Sequence, residues 1–226
     1  MSTWVAGKKG ARLVFAHPLT FVLLQIPETS VDIVGRAIPL AVGENKWLLA
    51  LILFPYFCVA SFISLATTYL AVNNLREGAG SALDRVFSRL KPKALPLLGT
   101  SVMTGLLVFM GFAAFILPGF YLMTLYLFVP ILVLVRPPYA WSSYLHQSKI
   151  LTQAHFKSLL CLTGVIIVVG LGIEFSIHVP DSFVDSWNAE LIGLYAVKLC
   201  LSSAVGALAG VWISMYFDSI TQEVKS

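Results

Sequence analysis

Glu174 and Lys198 lie inside otherwise apolar stretches, and they are the side chains best placed to do chemistry in this sequence. A charge near the middle of a bilayer costs about 2.5–3.5 kcal/mol on insertion scales, so such a residue usually has a partner or a role. Counted from the ends of their stretches, the two residues lie at similar depths. The sequence therefore predicts an intramembrane polar pair, which is either a structural ion pair or a substrate or proton site in a transporter.

Glu28, Asp32 and Arg36 form a second polar set that recurs every four residues, with Gln25 nearby. Residues four positions apart are neighbours on a helix surface, so one helical face would carry all three charges. This stripe fits an amphipathic helix on the outer surface of the membrane. It also fits a polar stripe that lines a cavity or docks a partner, and the segment length does not separate the two interpretations.

The remaining reactive residue types do not form a catalytic or metal-binding pattern. No two of the four histidines lie three or four residues apart, as a helical metal site requires. No Gly-x-Ser-x-Gly turn is present, and the Ser and Thr residues predict hydrogen bonds to helix backbone. The three cysteines all lie in apolar stretches, where they resemble small buried hydrophobes. We therefore expect no enzyme activity, no cofactor and no metal.

The elements that must position these residues are membrane-spanning helices. The chain is 58% hydrophobic and 12% charged, whereas soluble domains carry about 25% charged residues. Residues 94–135 contain no Asp, Glu, Lys or Arg. A helix rises about 1.5 Å per residue and the hydrocarbon core is about 30 Å thick, so this run holds two spans. Pro118 and Gly119, inside the run, predict the turn between them.

The whole chain predicts an all-α, polytopic helical membrane protein, a single bundle over residues 1–226 with about six transmembrane helices. The first segment is short and contains His17 and Pro18, so it either crosses the membrane or lies at the interface. The predicted spans are residues 13–26, 47–72, 95–117, 120–135, 158–179 and 191–217.

Most Lys and Arg residues fall between spans on one side, which by the positive-inside rule predicts that both termini are cytoplasmic. Two cytoplasmic interfacial amphipathic helices are predicted, over residues 81–93 and 139–156. In the first, Leu83, Val86, Phe87 and Leu90 form the apolar stripe. The net charge of +4 is placed for an anionic lipid surface, so we expect no nucleic acid partner. The residues predicted to face lipid headgroups are Arg85, Arg89, Lys91 and Lys93.

The stretch from Gly111 to Thr152 contains Pro118, Gly119 and Pro130, and it ends in a Ser-x-x-Leu-Thr pattern at residues 148–152. It resembles the YciC-like bacterial inner-membrane proteins and the related membrane domain of some glycerophosphodiester phosphodiesterases. The resemblance implies a polytopic protein of the bacterial inner membrane. It implies no defined chemistry, because the phosphodiesterase activity of the fused relatives would reside in a soluble domain that this chain lacks.

Two functional hypotheses follow. The first is a non-enzymatic accessory or scaffold protein of the inner membrane, which engages lipids and either a membrane protein partner or further copies of itself. The alternative is a small transporter or channel with a polar site near Glu174 and Lys198. Glycines at helical spacing, among them Gly206 and Gly210, predict close packing of helices, either within the bundle or between two copies of the chain.

Overall fold

The computed structural model describes residues 3–27, 30–31, 34, 46–78, 83–136, 140–177 and 189–223. In these ranges the chain is helical and contains no strand. A short 3-10 turn spans Lys91–Lys93. The helices are α1 (Thr3–Ala16), α2 (Pro18–Leu23), α3 (Lys46–Arg76), α4 (Leu83–Leu90), α5 (Ala94–Ala114), α6 (Ile116–Leu125), α7 (Val129–Val135), α8 (Trp141–Gln153), α9 (Phe156–Ser176) and α10 (Ala189–Glu223).

Five helical stretches of the described chain are long and apolar enough to cross a membrane, which confirms the predicted fold class. Residues 13–26 are not among them, because the helix breaks at His17 between α1 and α2. Pro18 disfavours helical geometry at the residue before it, and His17 has φ −134° and ψ 54°. The sixth span stays a prediction. The five stretches are Tyr56–Arg76, Leu83–Ala114, Ile116–Val135, Phe156–Ile173 and Gly193–Gln222.

The two long helices α3 and α10 run side by side in the same direction. Gly210 packs against Thr68, and further along both helices Arg76 forms an ion pair with Asp218. A Cβ atom at position 210 would lie 3.1 Å from the Cγ2 atom of Thr68, so glycine is what allows this close approach. Helices α1 and α2 pack on this pair, and α5 contacts α3.

The hairpin of α5 and α6 reverses at Phe115 and not at the predicted pair, Pro118 and Gly119, three residues later. Phe115 alone is extended, with φ −165° and ψ 154°, and α6 begins at the next residue. Proline lacks a backbone N–H and has a fixed φ near −65°, both of which suit the first turn of a helix. Pro118 therefore lies in the first turn of α6, and Gly119 makes close contact with α5.

The helix breaks between α6 and α7, next to Pro130, and the break leaves a backbone carbonyl free to bond two hydroxyl groups of α8. Pro130 has no N–H to donate to the carbonyl of Tyr126, which accepts instead from the N–H of Val129 at 3.1 Å. The carbonyl of Leu125 then accepts from side chains of α8. The donors are Ser148 Oγ at 2.7 Å and Thr152 Oγ1 at 3.2 Å. These bonds fix α8 against the bundle.

Removing both hydroxyls, with Ser148→Ala and Thr152→Val, is expected to lower the free energy of unfolding by about 1–3 kcal/mol. The reason is that the carbonyl of Leu125 would stay buried without its side-chain donors. Thermal unfolding in detergent measures the change. The matched control is Ser142→Ala, an exposed serine on the same helix, which should have little effect. Equal melting temperatures for the two variants would contradict this account of α8.

Two packed cores lie at the end of the bundle where α3 and α10 finish. The first joins the second halves of α3 and α10 to α7, α8 and the start of α9, around Phe128 and Tyr144. The second joins α1 and α2 to α3, α4 and α10, around Phe21 and Val86. At the opposite end large apolar side chains are exposed, including Phe115 at the tip of the hairpin. This surface suits contact with lipid chains.

The two predicted interfacial segments contain helices, α4 and α8. Leu83, Val86 and Leu90 face the bundle, and Val86 is fully buried. Phe87, the other residue of the predicted apolar stripe, does not join this buried face, since it is 55% exposed. The reason is geometric. α4 is only two turns long and touches the bundle along one line, and Phe87 lies about 100° around the helix from Val86.

Candidate functional site

Lys198 is buried in α10, with an exposed fraction of 3%. Helices α9 and α10 are antiparallel neighbours, and the ring of His155 at the start of α9 lies 5.9 Å from that of Tyr216 near the end of α10. From this contact, Lys198 lies about 27 Å along α10 and Glu174 about 29 Å along α9, at about 1.5 Å per residue. The backbone of Glu174 is therefore at the height of Lys198, as the predicted pair requires. The side chain of Glu174 lies outside the described residues.

The polar stripe of Glu28, Asp32 and Arg36 also lies outside the described residues. Its neighbours Gln25 and Ser30 are described, and both make contacts with α3. The Nε2 atom of Gln25 lies 3.3 Å from the Oγ1 atom of Thr68, to which it donates. The hydroxyl groups of Ser30 and Tyr56 are 2.7 Å apart. Gln25 therefore contacts the second half of α3 at Thr68, and Ser30 contacts its first half at Tyr56.

A polar contact that sequence reasoning missed joins α3 and α10 at the end where both helices finish. Asp218 forms an ion pair with Arg76, and its Oδ1 atom accepts a hydrogen bond from the hydroxyl of Tyr69 at 3.3 Å. The side chains of Arg76 and Asp218 are 38% and 18% exposed. The sequence does contain a sign of this contact: Asp218 lies in the last turns of an apolar span, and a carboxylate there needs a cation at the same depth.

Some cations of the predicted basic face around α4 form polar contacts with the protein, and others face outward. Arg89 forms an ion pair with Glu77 at 3.1 Å, and Lys93 Nζ donates to the backbone carbonyl of Arg136 at 3.0 Å. Lys91 and Arg136 are exposed. With Arg76, these residues mark one end of the bundle, which we call the basic end. The basic end carries Arg76, Arg85, Arg89, Lys91, Lys93 and Arg136.

Several buried hydroxyl groups of the described chain donate to backbone carbonyls. Ser148 and Thr152 are engaged with Leu125. Cys58 is buried, whereas Cys161 and Cys200 are exposed on the bundle surface. In the ranges that the structure describes, no group of three or more His, Cys, Asp or Glu residues is close enough to hold a metal ion.

Comparison of the chain with protein-family profiles, with curated proteins and with solved structures finds no match. What the chain does must therefore be argued from its own geometry. The features that carry this argument are the basic end, the buried Lys198 and the polar contacts along α3.

Proposed function

We propose that the protein is a non-enzymatic accessory or scaffold protein of the bacterial inner membrane, whose basic end binds anionic lipid headgroups. The observation that carries this proposal is the combination of outward-facing cations with two short helices packed firmly on the core. Val86 anchors α4 and Tyr144 anchors α8, and both side chains are buried. A membrane protein partner, or a second copy of the chain, would dock on the spans.

The aromatic residues of these two helices support the same proposal. Phe87 of α4 and Trp141 of α8 are 55% and 43% exposed, although both helices also bury apolar residues. Exposed aromatic rings beside cations are typical of elements that lie at the headgroup level of a bilayer. Each Lys or Arg near an anionic leaflet contributes about 1 kcal/mol of attraction, so several together give substantial lipid preference. By the positive-inside rule, this end would be cytoplasmic.

Replacing Lys91 with glutamine is expected to weaken the binding of phosphatidylglycerol about fivefold, because one cation is lost from the basic end. Native mass spectrometry of the protein released from mixed phosphatidylglycerol and phosphatidylcholine nanodiscs measures the bound lipid. Lys46→Gln is the matched control, since it makes the same charge change at the start of α3, whose end carries Arg76. Equal losses for the two variants, or none for Lys91→Gln, would refute a headgroup site at the basic end.

The resemblance to the YciC-like proteins is also a proposal. Its motif residues have a shared physical role in this chain, because the break at Pro130 and the hydroxyls of Ser148 and Thr152 meet at the carbonyl of Leu125. A protein with this helix break would need the proline and the two hydroxyl residues at the same spacing, whatever it binds. This supports a common architecture and carries no activity with it.

A second candidate function is a small transporter with a polar site at Glu174 and Lys198. The observation that favours it is the burial of Lys198 at the height of Glu174, on the neighbouring antiparallel helix. A lysine kept inside an apolar bundle is costly, and such residues are frequent on solute and proton pathways. The two candidates differ in whether this pair can be replaced by neutral residues without loss of function.

A further inference from the structure

One face of α3 carries polar residues that are buried beside Gln25. Ser61, Ser64 and Thr68 follow the spacing i, i+3 and i+7, so they share one side of the helix. Gln25, Ser64 and Thr68 are almost completely buried, with exposed fractions of 2%, 2% and 0%. Gln25 donates to Thr68, and Gly210 of α10 packs on the other side of Thr68. Four polar side chains therefore converge on a narrow strip between α2, α3 and α10.

Three atoms of this strip have no hydrogen-bond partner among the described residues: Gln25 Oε1, Ser61 Oγ and Ser64 Oγ. Serines elsewhere in the bundle behave differently. Ser101 Oγ donates to the carbonyl of Leu97 at 2.6 Å, and Ser214 Oγ donates to that of Gly210 at 2.7 Å. Each buried polar atom left unpaired costs about 1–3 kcal/mol. The strip thus needs donors and acceptors that it does not supply itself.

We infer that this strip is an internal water site. An amide oxygen accepts and a hydroxyl both donates and accepts, which is the mixed set that a water molecule satisfies with about three hydrogen bonds. Side chains one helical turn apart are separated by roughly 5–6 Å, which is about twice a hydrogen-bond length. One water molecule therefore bridges Ser61 to Ser64, and another bridges Ser64 to the Gln25 and Thr68 pair.

The residues on either side of the strip indicate from which end water enters the bundle. Beyond Thr68, the second core closes the path with Phe21, Leu70 and Ala71. In the other direction, the hydrogen bond between Ser30 and Tyr56 continues the line of polar groups along α3. Beside the strip on α3, Leu65 and Tyr69 pack into the first core. Water thus reaches the middle of the bundle from the end opposite the basic end, and it hydrates only one face of α3.

Radiolytic hydroxyl-radical footprinting of the protein in lipid nanodiscs tests this site, because bound water produces radicals in place even where bulk solvent cannot enter. Phe21 and Phe128 are both 0% exposed, but only Phe21 lies one turn from Gln25, whereas Phe128 lies in the first core. Phe21 is expected to be oxidised several-fold faster than Phe128. Equal rates for the two rings would overturn the proposal.

A variant with Gln25→Leu, Ser61→Ala and Ser64→Ala removes the three unpaired polar atoms. It is expected to fold, because apolar groups replace buried polar atoms and the described hydrogen bond that is lost is the one from Gln25 to Thr68. The oxidation rate of Phe21 should fall to that of Phe128. The control variant Ser101→Ala with Ser214→Ala removes hydroxyls bonded within their own helices, and it should leave the rate unchanged. An unchanged rate in the triple variant would show that the strip does not hold the water.

Discussion

Replacing Lys198 with methionine is expected to lower the free energy of unfolding by about 3 kcal/mol. Methionine matches the length of the lysine stem, so packing around position 198 changes little. The cost is expected because the carboxylate that the sequence predicts as the partner of Lys198 would stay buried without its cation. Glu174 is the carboxylate that the sequence predicts, and its backbone lies at the height of Lys198 on α9. Unfolding in mixed micelles with increasing denaturing detergent measures the change.

A double-mutant cycle identifies the partner of Lys198. If the partner is Glu174, then Glu174→Gln alone also destabilises, and the variant with both changes recovers most of the loss, because no buried charge remains. Val197→Met is the matched control, since it places methionine at the adjacent position of α10, where the side chain is 53% exposed. Purely additive losses from Glu174→Gln and Lys198→Met would contradict the pair.

The same double variant separates the two candidate functions. A structural ion pair can be replaced by neutral residues, so an accessory protein with both changes should retain lipid binding at its basic end and still support its partner in cells. A transporter needs a charge that responds to its substrate or to a proton, so the double variant would fold and lose its function. Growth of cells that carry the double variant, compared with cells that lack the protein, measures this difference.

The local features of the fold could be predicted from the sequence. Apolar length predicts spans, because each one must cover the hydrocarbon core regardless of its neighbours. The predicted span 158–179 corresponds to Phe156–Ile173, and the helices predicted at residues 81–93 and 139–156 are present. The sequence places the hairpin turn three residues too late. A proline in the first turn of a helix and a proline in the loop before a helix produce the same local pattern.

The contacts between distant parts of the chain could not be predicted. Ser148 was expected to bond helix backbone, but its acceptor at Leu125 depends on a break caused by Pro130 in another helix. The pairing of Arg76 with Asp218 joins residues 142 positions apart. The glycines also differ from one another. Gly210 packs against Thr68 as expected, whereas Gly170 has open space where a Cβ would lie. Spacing in sequence does not reveal which side of a helix meets a neighbour.

Gly119 shows the largest consequence of such a contact. A Cβ atom at this position would lie 2.3 Å from the Cγ atom of Phe112, so the ring or the backbone of α6 would have to move. The ring of Phe112 has little room, because its centroid lies 6.0 Å from that of Phe54 and 5.3 Å from that of Phe120. Gly119→Ala is therefore expected to lower the free energy of unfolding by about 1–3 kcal/mol, the usual cost of overpacking.

The control for this prediction is Gly170→Ala in α9, where no atom lies within 4 Å of the added Cβ. That change should stabilise the protein by up to about 1 kcal/mol, because alanine favours a helix over glycine. Melting temperatures in the same detergent should therefore shift in opposite directions for the two variants. Adding Phe112→Leu to Gly119→Ala should recover part of the loss, since the smaller side chain leaves room for the new methyl group. A tight α5–α6 hairpin would be contradicted if Gly119→Ala were as harmless as Gly170→Ala.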